Sequence, residues 1–134
     1  MNLQNIELKK LAVIDANINR VGEGLRVIED WARFIMREES LTAQIRKLRH
    51  GLWKVVEKTY PEIIKGRDTS NDMFSENKEM KRKKAQDIPK ASFNRVKEGL
   101  RVLEEMGKLI SSDASLKFKK MRFEAYNIER KFYD

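Results

Sequence analysis

The sequence predicts an all-α fold: a four-helix bundle of two duplicated antiparallel helical hairpins, related by a pseudo-twofold axis and joined by a polar connector. Three observations carry this. Residues 16–30 and 91–105 are identical at ten of fifteen positions at a constant offset of 75, where composition alone gives about one. Apolar residues recur at steps of three and four in four separate stretches, the period of an amphipathic helix. A chain of 134 residues is sized for one domain with one core, and it hides roughly two-thirds of its unfolded surface without needing disulfides.

The first helix is read from Leu11, Ile14, Ile18, Val21, Leu25, Ile28, Ala32 and Ile35. Ser40 is expected to cap the second, whose stripe is Leu41, Ile45, Leu48, Leu52 and Val55 and which Pro61 ends. These two make hairpin 1, about residues 3–60. The connector, 61–88, holds a turn-rich polar stretch from Gly66 to Asp72, then a short charged helix over 75–86 without a clean apolar stripe. A polar connector of this length inside a small bundle is either mobile or functional. Pro89 opens the third helix, where its missing N–H costs little, and Phe93, Val96, Leu100, Leu103, Gly107 and Ile110 form the stripe. Ser112 or Asp113 caps the fourth, read from Ala114, Phe118, Met121, Ala125, Ile128 and Phe132, so hairpin 2 spans about 89–133. The second helices of the hairpins align at an offset of 73, matching Lys47 with Lys120, Arg49 with Arg122 and Tyr60 with Tyr133.

Composition narrows the function. With no cysteine, disulfides, thiolate metal sites and cysteine nucleophiles are excluded, and the single histidine, His50, excludes paired-histidine chemistry. The longest apolar run, Leu11–Ile14, is too short to span a bilayer, and the N-terminus lacks a secretory layout. A cytoplasmic protein with no membrane partner is expected. Lys and Arg number 29 against 21 Asp and Glu, a net +8. The stretch 61–90, with 8 basic and 6 acidic residues, holds only +2 of it. A basic balance favours anionic partners.

On a helical wheel Asn19, Glu23, Arg26 and Asp30 lie opposite the first stripe, and Asn94, Glu98, Arg101 and Glu105 hold the matching places. Arg20 and Gly24, with Arg95 and Gly99, form the flank. Each glycine costs about 1 kcal/mol in a helix interior, so a close approach by a helix or a ligand should need it. Glu23/Arg26 and Glu98/Arg101 read simply as i,i+3 surface pairs. Such pairs do not explain why both halves keep Asn, Arg, Glu and Arg in one order. Arginine forks would bind phosphate while Asn and Glu read the edge of a ring. In the connector Arg67 stands beside Asp68 and Asp72, which are either turn caps or one or two magnesium ligands. His50 reads as a surface or packing residue. The run Lys81–Lys84 lacks interleaved aromatics, which makes nucleic-acid binding the weakest reading. No phosphate-binding loop, nucleophile elbow or zinc-protease motif is present.

Asp15–Arg20 and Glu23–Asp30, then Leu48-Arg49-His50, Arg67-Asp68-Thr69, Glu98–Glu105 and Lys120–Phe123 with Tyr126 and Glu129, resemble a helical domain of bacterial thiamine biosynthesis. That family is a non-ribokinase type of hydroxymethylpyrimidine phosphate kinase, found N-terminal to the barrel of some thiamine phosphate synthases. The chain differs from its pattern at Ser92, at Gly22 and after Asp72, where Met73-Phe74 follows. The resemblance implies transfer of a phosphoryl group from ATP, with Mg2+, to the phosphorylated aminopyrimidine. It implies Arg20, Arg26, Arg67, Arg95, Arg101 and Arg122 as phosphate ligands. Asn17, Asn19, Glu23 and Glu98 would read the pyrimidine or order those arginines. Asp68 would serve catalysis or, with Asp72, the metal. The chain ends at Asp134, so no barrel and no synthase activity are expected. The competing expectations are a non-catalytic module that forms a homodimer or docks a thiamine phosphate synthase, and, third, a nucleic-acid-binding protein.

Overall fold

Each apolar stripe lies on a helix in the computed structural model, which describes residues Met1–Asp134. The helices are α1 (Leu8–Asp30), α2 (Glu39–Val56), the short α3 (Tyr60–Ile63), α4 (Asp87–Gly107) and α5 (Ser112–Phe132), with no strand. The stripes of the four long helices meet in a single cluster of 23 buried apolar residues, which also takes in Leu3 and Ile63. Burying this face holds the helices more than propensity does. α1 packs on α4 and α2, α4 on α5, and α2 on α5. No helix is long and apolar enough to cross a membrane.

The flank glycines lie where α1 and α4 touch. A Cβ on Gly24 would stand 2.9 Å from Val96 Cγ2 and 3.0 Å from the Ser92 carbonyl oxygen, and one on Gly99 would stand 2.6 Å from Val21 Cγ2. The Gly99 Cβ would stand 3.5 Å from the carbonyl oxygen of Asn17, the residue that matches Ser92, so matched positions face matched neighbours. A helix, not a ligand, needs these glycines.

Several boundaries differ from the sequence reading. After Asp30 the chain widens into a π-helical turn, Trp31–Met36, and ends at Arg37 with φ 58°. The wider turn shifts the stripe, so Ala32 is buried and Ile35 is exposed. The cap position of α2 is Glu38, and Ser40 lies inside the first turn. In α5 the cap is Ser111, whose Oγ accepts the Ala114 N–H at 3.0 Å, rather than Ser112 or Asp113. α2 already ends at Val56, and Pro61 sits in the first turn of α3, where proline is tolerated. Residues 75–86 form turns and no helix; they have no apolar face for the core to hold.

The connector is seated at one point. Ile63 is buried in the core, and Gly66 lies so close to α1 that a Cβ would stand 2.5 Å from the Leu8 carbonyl oxygen and 2.6 Å from the Ala12 nitrogen. Only glycine fits there. Arg67 is thereby delivered to the side of α1.

Candidate functional site

Asp15, Gly22 and Glu29 each follow a core position of α1 (Ile14, Val21, Ile28) and stand seven residues, or two turns, apart. The two acids are buried and each holds an arginine from elsewhere in the chain. Asp15 accepts Arg67 Nε and Nη2, both at 2.7 Å, in a bidentate fork. Arg67 Nη2 also donates to Tyr60 Oη at 3.0 Å, and Tyr60 donates to Asn19 Oδ1 at 3.2 Å. Asn19 Nδ2 returns to Asp15 at 3.1 Å, closing a ring of four side chains. Hydrogen bonding to Asp15 and then Tyr60 pushes the Arg67 guanidinium further above its usual range. Glu29, two turns beyond Gly22, accepts Arg49 Nε at 2.8 Å and Nη2 at 3.4 Å, and Arg26 Nη1 at 3.3 Å.

Between these clamps the wall is bare at Gly22. A hollow of about 530 Å³ opens there, lined by Asn19, Glu23 and Arg26 of α1, by Arg49, His50 and Trp53 of α2, and by Tyr60. A second, of about 550 Å³, adjoins it under the connector and is lined by Arg67, Asp68 and Asp72. Both share Asn19, Glu23 and Tyr60, so they form one groove. Along α1 it runs from Ala12 to Arg26, about 21 Å at the helical rise. Trp53 is half exposed and meets Tyr60 edge-on, with ring centroids 5.0 Å apart. A planar ring therefore finds an aromatic wall, a free carboxylate at Glu23, and cations at both ends. The guanidinium Nη1 atoms of Arg49 and Arg67 make no hydrogen bond within the protein, so each clamped arginine keeps an edge for an anion.

Asp68 sits at the connector end. Asn71 Nδ2 and Ser70 Oγ donate to its two oxygens at 2.7 and 2.9 Å and hold its carboxyl below the usual range. A carboxylate so held stays ionised and is a weak base. No three carboxylates or imidazoles gather anywhere as a metal cage. Asp68 and Asp72 suit only a cation whose other ligands come from phosphates and water, the manner of magnesium.

The sequence-predicted residues divide. Asn19, Glu23, Arg26, Arg67, Asp68 and Asp72 share this groove. Asn17 does not line it: it is buried beside Gly99 of α4, donating to the Val13 carbonyl oxygen at 2.9 Å and accepting Arg20 Nη1 at 2.6 Å. Arg20 goes with it. Arg95 is exposed, its nearest acid being Glu79 at 3.8 Å, and Glu98 is exposed away from the groove. Arg101 and Arg122 both donate to buried Glu104 at 3.0 Å, as Arg26 and Arg49 do to Glu29. Burial raises the Glu104 carboxyl, but the hydrogen bonds from Arg122 and Arg101 outweigh it and the group sits below its usual range. The expected pairs Glu23/Arg26 and Glu98/Arg101 do not form; each arginine turns to the buried acid three residues on.

Asp15, Glu29, Glu104, Trp53, Tyr60 and the roles of Arg49 and His50 escaped the sequence reading. One signal was available: Glu29 and Glu104 are among the ten repeated identities, and Arg49/Arg122 and Tyr60/Tyr133 match between the hairpins.

Comparison with known proteins is consistent over nearly the whole chain. Residues 12–131 match the ThiD2 family. The chain is 38% identical over 122 residues to a thiamine-phosphate synthase of Nostoc punctiforme, covering 87% of this chain and 33% of that protein. It is 34% identical over 131 residues to one of Prochlorococcus marinus subsp. pastoris (95% and 36%). It is 34% identical over 120 residues to one of Rhodopirellula baltica (87% and 32%). The chain thus spans about a third of the length of these relatives. No solved structure matches it.

Proposed function

The chain belongs to the ThiD2 family, and from that premise we propose that it acts in thiamine biosynthesis, moving the γ-phosphoryl group of ATP–Mg to 4-amino-5-hydroxymethyl-2-methylpyrimidine phosphate. The observation that carries this reading is the groove itself. It is lined by aromatic side chains, it is bare at Gly22, and it runs between two arginines, each fixed on a buried carboxylate.

In this reading the pyrimidine lies against Trp53, and Glu23 accepts from its amino group. Asn19 spends both amide hydrogens on Asp15, so it positions rather than reads. Arg26 and the free edge of Arg49 take the substrate phosphate, with His50 beside them. The nucleotide lies toward Arg67, where Asp68 and Asp72 would repel its phosphates unless magnesium stood between. One oxygen of the substrate phosphate attacks the γ-phosphorus, and the bond from that phosphorus to the β-phosphate oxygen breaks, leaving ADP and a diphosphate. The attacking oxygen is already anionic, so no general base is required. That suits an Asp68 held as a weak base. Positioning and charge neutralisation remain as the protein's contribution.

The test is to incubate the protein with ATP–Mg and the aminopyrimidine phosphate and follow diphosphate by phosphorus NMR, alongside the Arg26→Ala and Trp53→Ala variants. Turnover lost in both, with wild-type turnover present, supports the kinase. No diphosphate and no thermal stabilisation by saturating ligands refutes it. A second reading, a non-catalytic module that docks a thiamine phosphate synthase or forms a homodimer, draws on the relatives' shared name and on the chain's third of their length. It requires a stable complex with a separate synthase, or a dimer, and no turnover.

A further inference from the structure

The matched hairpins do not carry matched grooves. In hairpin 1 a single hollow passes from Asn19 and Tyr60 across Gly22 to Arg26 and Arg49. The corresponding positions of hairpin 2 are Asn94, Tyr133, Lys97, Arg101 and Arg122, at the same offsets of 75 and 73. There the hollow reaches from Asn94 and Tyr133 as far as Lys97, and neither Arg101 nor Arg122 lines it. Arg101 opens instead onto a separate hollow with Lys108 and Lys119.

Lys97 accounts for the break. Its ammonium donates to Glu129 at 2.9 Å and lies 5.6 Å from the Tyr126 ring centroid, and Tyr126 matches Trp53. The lysine therefore spans from α4 to α5 and stands over one face of Tyr126, a ring that still lines the hollow on the Asn94 side. Arg122, over Tyr126 at 5.8 Å and over Phe123 at 5.1 Å, stands outside that hollow. At Gly22 a Cβ would meet nothing within 4 Å. This glycine, mid-helix and free of any packing demand, costs helix stability with no structural return. The space it leaves is the only gain.

We propose that Gly22 is the residue that makes hairpin 1 the single through-groove of this chain, and that Lys97 partitions its twin. A ligand bridging the aromatic pair and the arginine pair, an aromatic ring bearing a phosphate, binds once per chain. The identity of that ligand rests on the function proposed above; the opening and the partition do not.

Gly22→Lys, which copies the hairpin 2 residue, separates the two. In a Trp31→Phe background, acrylamide quenching reports Trp53 without any ligand. The quenching constant should fall at least two-fold in Gly22→Lys, while the urea midpoint stays level or rises. Calorimetric titration with the aminopyrimidine phosphate should give one equivalent per wild-type chain, an affinity at least ten-fold lower in Gly22→Lys, and a second equivalent in Lys97→Ala. Unchanged quenching in Gly22→Lys, two equivalents in the wild type, or no second equivalent in a Lys97→Ala protein whose first site still binds overturns the inference. A wild type that binds no pyrimidine phosphate, with Trp53 still shielded in Gly22→Lys, refutes the proposed function and leaves the opening at Gly22 standing.

Discussion

Arg26 and Arg49 hold the same buried carboxylate, yet their removal should cost unequal amounts. The Glu29 side chain is 2% exposed and receives two hydrogen bonds from Arg49, itself 24% exposed, but only one, at 3.3 Å, from Arg26, which is 57% exposed. Breaking a fully buried pair by removing one partner costs about 3–5 kcal/mol, because the other charge stays behind. In Arg49→Ala the Arg26 contact and entering water soften this to about 2–3 kcal/mol. For a chain of 134 residues that is a fall in Tm of roughly 7–11 °C. In Arg26→Ala the fork from Arg49 remains, and an exposed partner is worth under about 1 kcal/mol. Urea and thermal melts followed by circular dichroism at neutral pH give both numbers. The matched cluster repeats the experiment, with Arg122→Ala as the costly variant and Arg101→Ala as the mild one. Equal losses within each pair, or the larger loss at Arg26 and Arg101, would refute the argument. Confirmation would leave Arg26→Ala as the variant in which lost turnover reports on ligand rather than on fold.

Four further outcomes follow from the same structure. Arg67→Ala strands the buried Asp15 with only Asn19 as a side-chain donor and should lower the urea midpoint; Arg67→Lys should recover less than half of the loss, because an ammonium cannot reproduce the fork. Glu104 has its folded pKa below its ordinary value of 4.5, so its stabilising effect is full above that value and disappears as pH falls through the folded pKa. Melts between about pH 7 and pH 3 should therefore show the wild type losing its advantage over Glu104→Gln toward the acid end, and a constant gap would contradict this. Gly99→Ala drives a Cβ within 2.6 Å of Val21, a stiff and fully buried neighbour. Its overpacking cost of about 1–3 kcal/mol should exceed the roughly 1 kcal/mol gained in helix propensity. Gly22→Ala, with nothing in its way, should be stabilising in the same melts.

The chain's own pattern settles the helices and their inward faces. Residues at steps of three and four share one side of a helix, and a core needs that side to be apolar. Leu11 through Ile28 and Phe93 through Leu103 are buried as their spacing requires. The repeat was also plain, because ten shared positions need no coordinates to be seen. Local boundaries were less legible. The π-helical turn at Trp31–Met36 and the cap at Ser111 depend on how each hairpin closes, and several neighbouring residues could cap equally well.

What only the tertiary structure decided is which charges are buried and what they hold. Asp15, Glu29 and Glu104 look like surface acids in the sequence, because each stands just past a core position on the helix flank. They are buried because a second element packs against that flank and supplies a guanidinium: Arg67 from 52 residues away, Arg49 from 20, Arg122 from 18. Periodicity describes one helix against water. It carries no information about the partner across the groove, and a buried charge is tolerable only where such a partner arrives. The groove at Gly22, the clamp at Asp15 and the break at Lys97 all depend on that arrival.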